Sequence, residues 1–222
     1  MFFVLNMQDQ DQQPAFKIIC AKEDVILKLR RQEPGSLKKN TFIIDFDINN
    51  SRIPLVNFCS YNIFKLMFEL NREDAIQELR LTDPTNDDRA QMLLVFNRKG
   101  GDVGIKQKYM RLMLSMSTLP IPSGGINYIF EGGPCIRTGH ENGGNIPELN
   151  YTAPGSEEVN DVDAVLCMSL TTEHHIRVQF MLSVPAPSQQ QPSYIENSLG
   201  VIMKKILTRT KTFIECITQP SE

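Results

Sequence analysis

Apolar and polar residues alternate along residues 41–50, TFIIDFDINN, so that Phe42, Ile44, Phe46 and Ile48 share one side of an extended chain. The next stretch, SRIPLVNFC, reads as a second apolar strand after a polar turn, and the two predict a hairpin. Ser60 is placed to cap a helix in which Ile63, Phe64, Met67 and Leu70 fall on one side. REDAIQELRL extends that helix to about Leu81, where DPTND ends it. AQMLLVFN and KYMRLMLSMS are strand candidates on either side of RKGGDVGIKQ, whose glycines suit a turn. After Pro120 and Pro122 a short INYIF strand leads into residues 131–163. That stretch has Gly-Gly and Gly-Pro breaks and seven acidic residues against Arg137, the pattern of a long exposed acidic loop.

DAVLCMSL and HHIRVQFMLSV then return the chain to an antiparallel sheet, and PAPSQQQP is a polar linker. Ser193 and Glu196 match a capping box ahead of a strongly periodic segment. There Leu199, Ile202, Met203, Ile206, Thr210, Phe213, Ile214 and Ile217 recur at helical spacing, with Lys204, Lys205, Arg209 and Lys211 opposite. At the other end, residues 1–14 combine an apolar tip with Gln and Asp, a composition that favours a mobile arm. Residues 15–39 carry a local excess of +4, and KEDVILKLRRQEPG predicts a short helix ending before Pro34. The expected architecture is α+β: an antiparallel β-sheet packed with two or three helices over residues 40–222, preceded by a flexible basic arm over residues 1–39.

The whole chain of 222 residues balances 23 Lys and Arg against 26 Asp and Glu, a net charge of −3, so any charge-driven function is local. The longest apolar run, MFFVL, is far below the roughly 18–20 residues of a membrane-spanning helix and lacks the basic flank of a signal peptide. Five cysteines, odd in number and never spaced as C-x-x-C, suit a reducing compartment.

Candidate chemistry is sparse. RKGGDVGIKQ lacks the order of a phosphate-binding P-loop, and Glu157, Glu158, Asp161 and Asp163 lack the framework of a calcium loop. His140, His174 and His175 have no partners at metal-ligand spacing, and Cys135 with His140 as base has no orienting third group. No catalytic, cofactor-binding or metal-binding residue is assigned, and the absence of Trp beside the lysines argues against base-specific nucleic-acid binding. What remains is positive charge at residues 17–39, 98–111 and 204–211, opposed by the acidic stretch 131–163. Such polarity suits a peripheral membrane protein or a self-associating one.

The order in TFIIDFDINNSRIPLVNFCSYNIFKLMFEL is alternating strand, polar turn, proline-bearing strand and amphipathic helix. RLMLSMSTLPIPSGGINYIFEGGPCIRTGHENGG runs an apolar strand into a proline and small-residue turn. Together with HHIRVQFMLSV and a C-terminal helix, this resembles rhabdovirus matrix proteins over about residues 40–215. The resemblance implies a non-catalytic structural protein that self-associates, binds the envelope's inner face, condenses the nucleocapsid and drives budding. It places the protein in the virion, and in the host at the cytoplasm and inner membrane faces. Its implied partners are a second copy, the viral nucleoprotein, anionic lipid and the viral glycoprotein tail. Lys28, Arg30, Arg31, Lys38 and Lys39 in the arm would touch anionic lipid, each worth about 1 kcal/mol. Arg98, Lys99, Lys106 and Lys108 would form a second basic contact with membrane or nucleocapsid, and Phe2, Phe3, Val4 and Leu5 a self-association tip. Neither a PPxY nor a PTAP motif is present. The alternative is a soluble viral movement or adaptor protein that engages a protein partner through the acidic loop.

Overall fold

The computed structural model describes residues 16–22, 24–31, 39–85, 88–97, 106–135, 149–185 and 197–218, without the side chains of Lys22 and Arg31. Alternation sets the strands. They are β1 (Lys17–Lys22), β2 (Val25–Arg31), β3 (Lys39–Asn49), β4 (Ile76–Leu81), β5 (Arg89–Phe96), β6 (Gln107–Pro120), β7 (Ile126–Pro134), β8 (Ser156–Glu158), β9 (Asp163–Thr172) and β10 (His175–Pro185). Two α-helices join them among the described residues, α1 (Asn62–Asn71) and α2 (Ser198–Cys216). The expected α+β class, an antiparallel sheet with helices packed on it, is what the chain adopts.

Strand order is β1-β2-β3-β10-β9-β7-β6-β5-β4, antiparallel at each step, with β8 pairing in parallel with β6 beyond the point where β7 leaves it. In this register the apolar face is continuous. Phe42 on β3 stands opposite Leu182 on β10, which stands opposite Ala164 on β9, then Gly132 on β7, Leu114 on β6 and Ala90 on β5. One step along, Leu27, Ile44, Phe180, Leu166, Phe130 and Met116 form a parallel row. Phe42, Ile44, Phe46 and Ile48 are all buried, as the alternation predicts, each contributing about 1.5–3 kcal/mol.

Both helices lie on this face. Helix α2 packs on β2 and β3, α1 packs on β4, and the helices touch each other. Laid flat, nine strands about 4.8 Å apart would span about 38 Å, whereas two helices side by side cover about 20 Å. The sheet therefore has to curl around the helix pair for both contacts to form.

Several expectations are corrected. The helix expected within KEDVILKLRRQEPG is β2, entered from β1 through Asp24 at φ 57°, with Val25, Leu27 and Leu29 buried at every second residue. Pairing of β2 with β3 satisfies the backbone and overrides the local helical reading. Lys17–Lys22 and Val25–Arg31 of the expected arm thus belong to the sheet, while residues 1–15, 23 and 32–38 lie outside the described residues. SRIPLVNFC forms no hairpin with β3, because β2 and β10 already occupy both edges of β3; its Leu55–Phe58 is a 3-10 turn. Helix α1 stops at Asn71, whose carbonyl accepts from the N–H groups of Asp74 and Ala75, and IQELRL becomes β4. The expected acidic loop is in part sheet, since β7 runs through Gly132 and Gly133 to Pro134 and β8 holds Glu157 and Glu158. Lys204, expected on the wet side of the last helix, is buried. The proposed capping pair Ser193 and Glu196 lies outside the described residues. Among the described residues no helix is long and apolar enough to cross a membrane.

Candidate functional site

The curled sheet and the two helices enclose a cavity. Its sheet wall comes from β4, β5, β6, β7, β9 and β10, including Leu79, Leu94, Leu112, Leu114, Leu166 and Leu182; its helical wall is Phe64 and Met67 of α1 and Met203, Ile206 and Leu207 of α2. Where the rows cross the middle of the sheet the side chains become small. Gly132 and Ala164 are direct cross-strand partners and both line the cavity. A Cβ on Gly132 would stand 2.9 Å from Leu114 Cδ2, so glycine there admits the neighbouring leucine as well as leaving space. At the end nearer the start of α1, Phe130 meets Phe64 and Tyr61 edge-on, each with ring centroids 5.5 Å apart. The Tyr61 hydroxyl donates to the Asp88 carbonyl, and burial with the Asp88 charge pushes its pKa up to about 12.

The cavity volume is about 50 Å³, a third of the ~150 Å³ apolar cavity that takes up benzene. The cavity is therefore real but contracted. Met67, Met92, Met110 and Met203 reach it from α1, β5, β6 and α2, and their unbranched, rotatable thioether chains are the parts of the wall that can move at least cost.

Three devices hold α2 over the cavity. Gly200 lets its first turn rest on Phe42, for a Cβ there would come within 2.4 Å of the ring. Asp74, after α1, pairs with Lys205 at 3.4 Å and with Arg209, and these two cations hold its carboxyl below the usual carboxylate range, the Arg209 hydrogen bond contributing most. At the far end Asn50, 4% exposed, donates through Nδ2 to the carbonyls of Ile214 at 2.7 Å and Ile217 at 2.9 Å, satisfying acceptors that a helix end leaves open.

None of the charged residues singled out from the sequence lines this cavity. Lys28 pairs with Asp45, Lys39 with Asp163, and Lys106 and Lys108 with Glu157, so positive charge is matched locally by carboxylates. Lys108 and Lys106 in turn hold Glu157 below the usual carboxylate range. Arg30 is half-buried on β2. Lys38, Arg98, Lys99, the Arg31 side chain and Phe2, Phe3, Val4 and Leu5 lie outside the described residues. Of the acidic stretch, Glu158 is held by Arg111 through two hydrogen bonds of 2.7 and 3.0 Å. Among the described residues no group of His, Cys, Asp and Glu could hold a metal ion. Thr171, His175 and Asp47 are hydrogen-bonded in series, at 2.6 and 3.1 Å, on an exposed part of the sheet away from the cavity. The sequence reading missed the cavity altogether. The available signal is the run of small residues GGP, which follows the apolar INYIF after Glu131 and reads by sequence as a loop.

No protein-family model matches the chain, and no curated protein matches it in sequence. Solved structures do match in shape. The lipid transfer and protein localization domain of human StarD13 superposes with a TM-score of 0.60 at 10% identity, over 92% of this chain and 91% of that one. The STAR-related lipid transfer protein from Xanthomonas axonopodis gives 0.56 at 11% identity, covering 90% and 98%. Human StAR-related lipid transfer protein 5 gives 0.57 at 7% identity, covering 92% and 88%. The fold is thus that of StAR-related lipid transfer domains. This overturns the resemblance to rhabdovirus matrix proteins and, with it, the expected roles in virion assembly, nucleocapsid condensation and budding. That resemblance rested on the order of apolar strands and an amphipathic helix, which unrelated α+β chains share because the order says nothing of which strands become neighbours.

Proposed function

We propose that this chain binds an apolar, lipid-like small molecule in the cavity between its sheet and helices, acting as a carrier or receptor and not as a viral structural protein. One observation carries the reading: a cavity walled by six strands and both helices, lined by apolar residues throughout, with small residues where the sheet crosses its middle. A fold that only needed a core would fill that centre, because interiors otherwise pack to crystal-like density. The shared fold with named lipid transfer domains supports the same reading.

The test is native mass spectrometry of the purified protein, before and after organic extraction, followed by titration with a hydrocarbon-chain fluorescent probe. Saturable 1:1 binding is expected, weakened at least about tenfold by Ala164→Leu, which grows a side chain into the cavity. Absence of saturable binding, or equal binding by the variant, overturns the reading.

A further inference from the structure

We infer that the cavity takes only uncharged hydrocarbon, with no polar group of the ligand held inside, and that Met67, Met92, Met110 and Met203 set which hydrocarbons fit. This rests on the cavity being a binding site, and it narrows the ligand to a chemical class.

The first part follows from what the wall lacks. Among the described residues, every one that lines the cavity is Phe, Met, Ile, Leu, Ala or Gly. None offers a side-chain donor or a strong acceptor, and β5, β6, β7, β9 and β10, which supply most of the sheet wall, are each paired on both sides in the sheet ladders. Polar side chains near the cavity stand outside its described wall, although one of them, Asn71, keeps a buried Oδ1 without a hydrogen-bond partner among the described residues. The Tyr61 hydroxyl behind the aromatic pair is donated to Asp88, and Asn71, one turn beyond Met67, donates to the Met67 carbonyl and is not part of the wall. The Asp74, Lys205 and Arg209 cluster joins α1 to α2 outside the cavity. A ligand hydroxyl inside would lose its water partners and gain none, and a carboxylate, phosphate or ammonium would lose far more. A ligand that carries a charged head is therefore kept out of the enclosed space, and uncharged hydrocarbon enters.

The second part follows from size. With a cavity volume of about 50 Å³, even benzene needs the wall to give. Leucine and isoleucine side chains locked between strands move little, whereas the four methionines, one on each of four elements facing the space, can rotate aside without breaking a hydrogen bond. Ligand length and bulk are thus set by how far these thioethers swing.

The probes are diphenylhexatriene, which is uncharged hydrocarbon, and two derivatives of the same rod carrying a trimethylammonium or a propionate group. Each is titrated by fluorescence into the full chain, into Ala164→Leu, and into the double variant Met92→Ile, Met110→Ile. The double variant keeps an apolar side chain of similar size but stiffens it with a β-branch; its thermal midpoint is measured alongside. The expected result is saturable binding of the uncharged rod, at least about tenfold weaker binding of both charged rods, and about tenfold weaker binding of the uncharged rod by a folded double variant. Charged rods that bind as tightly as the uncharged one, in a manner blocked by Ala164→Leu, overturn the ligand class while leaving the cavity as a binding site. Unchanged binding by the double variant overturns the role of the methionines. Binding of none of the three rods overturns both this inference and the binding site it rests on. Should the double variant unfold, Met92→Leu and Met203→Leu replace it, with the same expected weakening and the same overturning result.

Discussion

Gly200 and Asn50 each help fix one end of α2, Gly200 through its contact with Phe42 and Asn50 through two hydrogen bonds. Alanine has the higher helix propensity by about 1 kcal/mol, so on local grounds Gly200→Ala should stabilise α2. The Phe42 ring 2.4 Å from the new Cβ reverses the sign: overpacking of this kind costs about 1–3 kcal/mol, and the expected outcome is a lower thermal midpoint, with Gly200→Ala, Phe42→Leu recovering part of the loss. Asn50→Ala leaves the Ile214 and Ile217 carbonyls without their donor in a buried setting, which costs about 1–3 kcal/mol and should appear as faster amide exchange in the last turn of α2. Neither residue stands out in the sequence. A glycine inside an amphipathic pattern and an asparagine in a turn are ordinary until their partners, 158 and 164 positions away, are known. Cys59 is the opposite case: it is buried, and burial raises its thiol pKa to about 12. It should resist alkylation at neutral pH while the fold is intact and react on unfolding.

Among the elements, the pairs that close the cavity are tuned by charge at their outer rim. The Asp74 carboxyl sits below the usual range because Arg209 and Lys205 face it. A carboxyl whose folded value is depressed adds stability that is complete above its unfolded value, about 3.9 for Asp, and that is lost as pH falls through the folded value. The expected outcome is a fall in thermal midpoint below about pH 4 that is shallower in Asp74→Asn, read by calorimetry from pH 3 to 7. The elements themselves were unevenly legible. Strands β3, β5, β6, β9 and β10 could be read from alternation because a period of two is a property of the segment alone. The β2 segment VILKLRR fits a short helix and a strand equally well, and its pairing with β3 chose the strand. IQELRL likewise continues a helical pattern from α1, yet the open edge of β5 recruits it.

At the scale of the molecule, strands and helices share one apolar core, and the cavity within it withholds part of the stability that full packing would give. Filling the cavity should therefore stabilise the chain and silence it at once. Ala164→Leu is expected to raise the thermal midpoint, as cavity filling commonly adds about 0.5–2 kcal/mol. Saturating uncharged ligand at a hundred times its dissociation constant should add about 2.7 kcal/mol to the wild type, a shift of about 5–10 °C for a domain of this size. The variant should show no such shift. Differential scanning fluorimetry with and without ligand checks both halves of the prediction.

What the sequence by itself determined is local: the α+β class, the inward faces of most strands, the periodic C-terminal helix and the balanced charge. Each is carried by spacing within a dozen residues, where alternation or helical periodicity suffices. The site could not be read this way, because its wall is assembled across the sheet from rows such as Leu114, Gly132, Ala164 and Leu182, which four separate strands contribute. Only the register brings Gly132 beside Ala164, and only the strand order joins β3, which meets α2, and β4, which meets α1, in one sheet. The lysines were legible and the carboxylates opposite them were not, so charge that read as an external surface is largely answered within the fold. The tertiary structure decided function-bearing shape because a cavity is a property of distances between segments, and a linear pattern of hydrophobic positions contains no such distances.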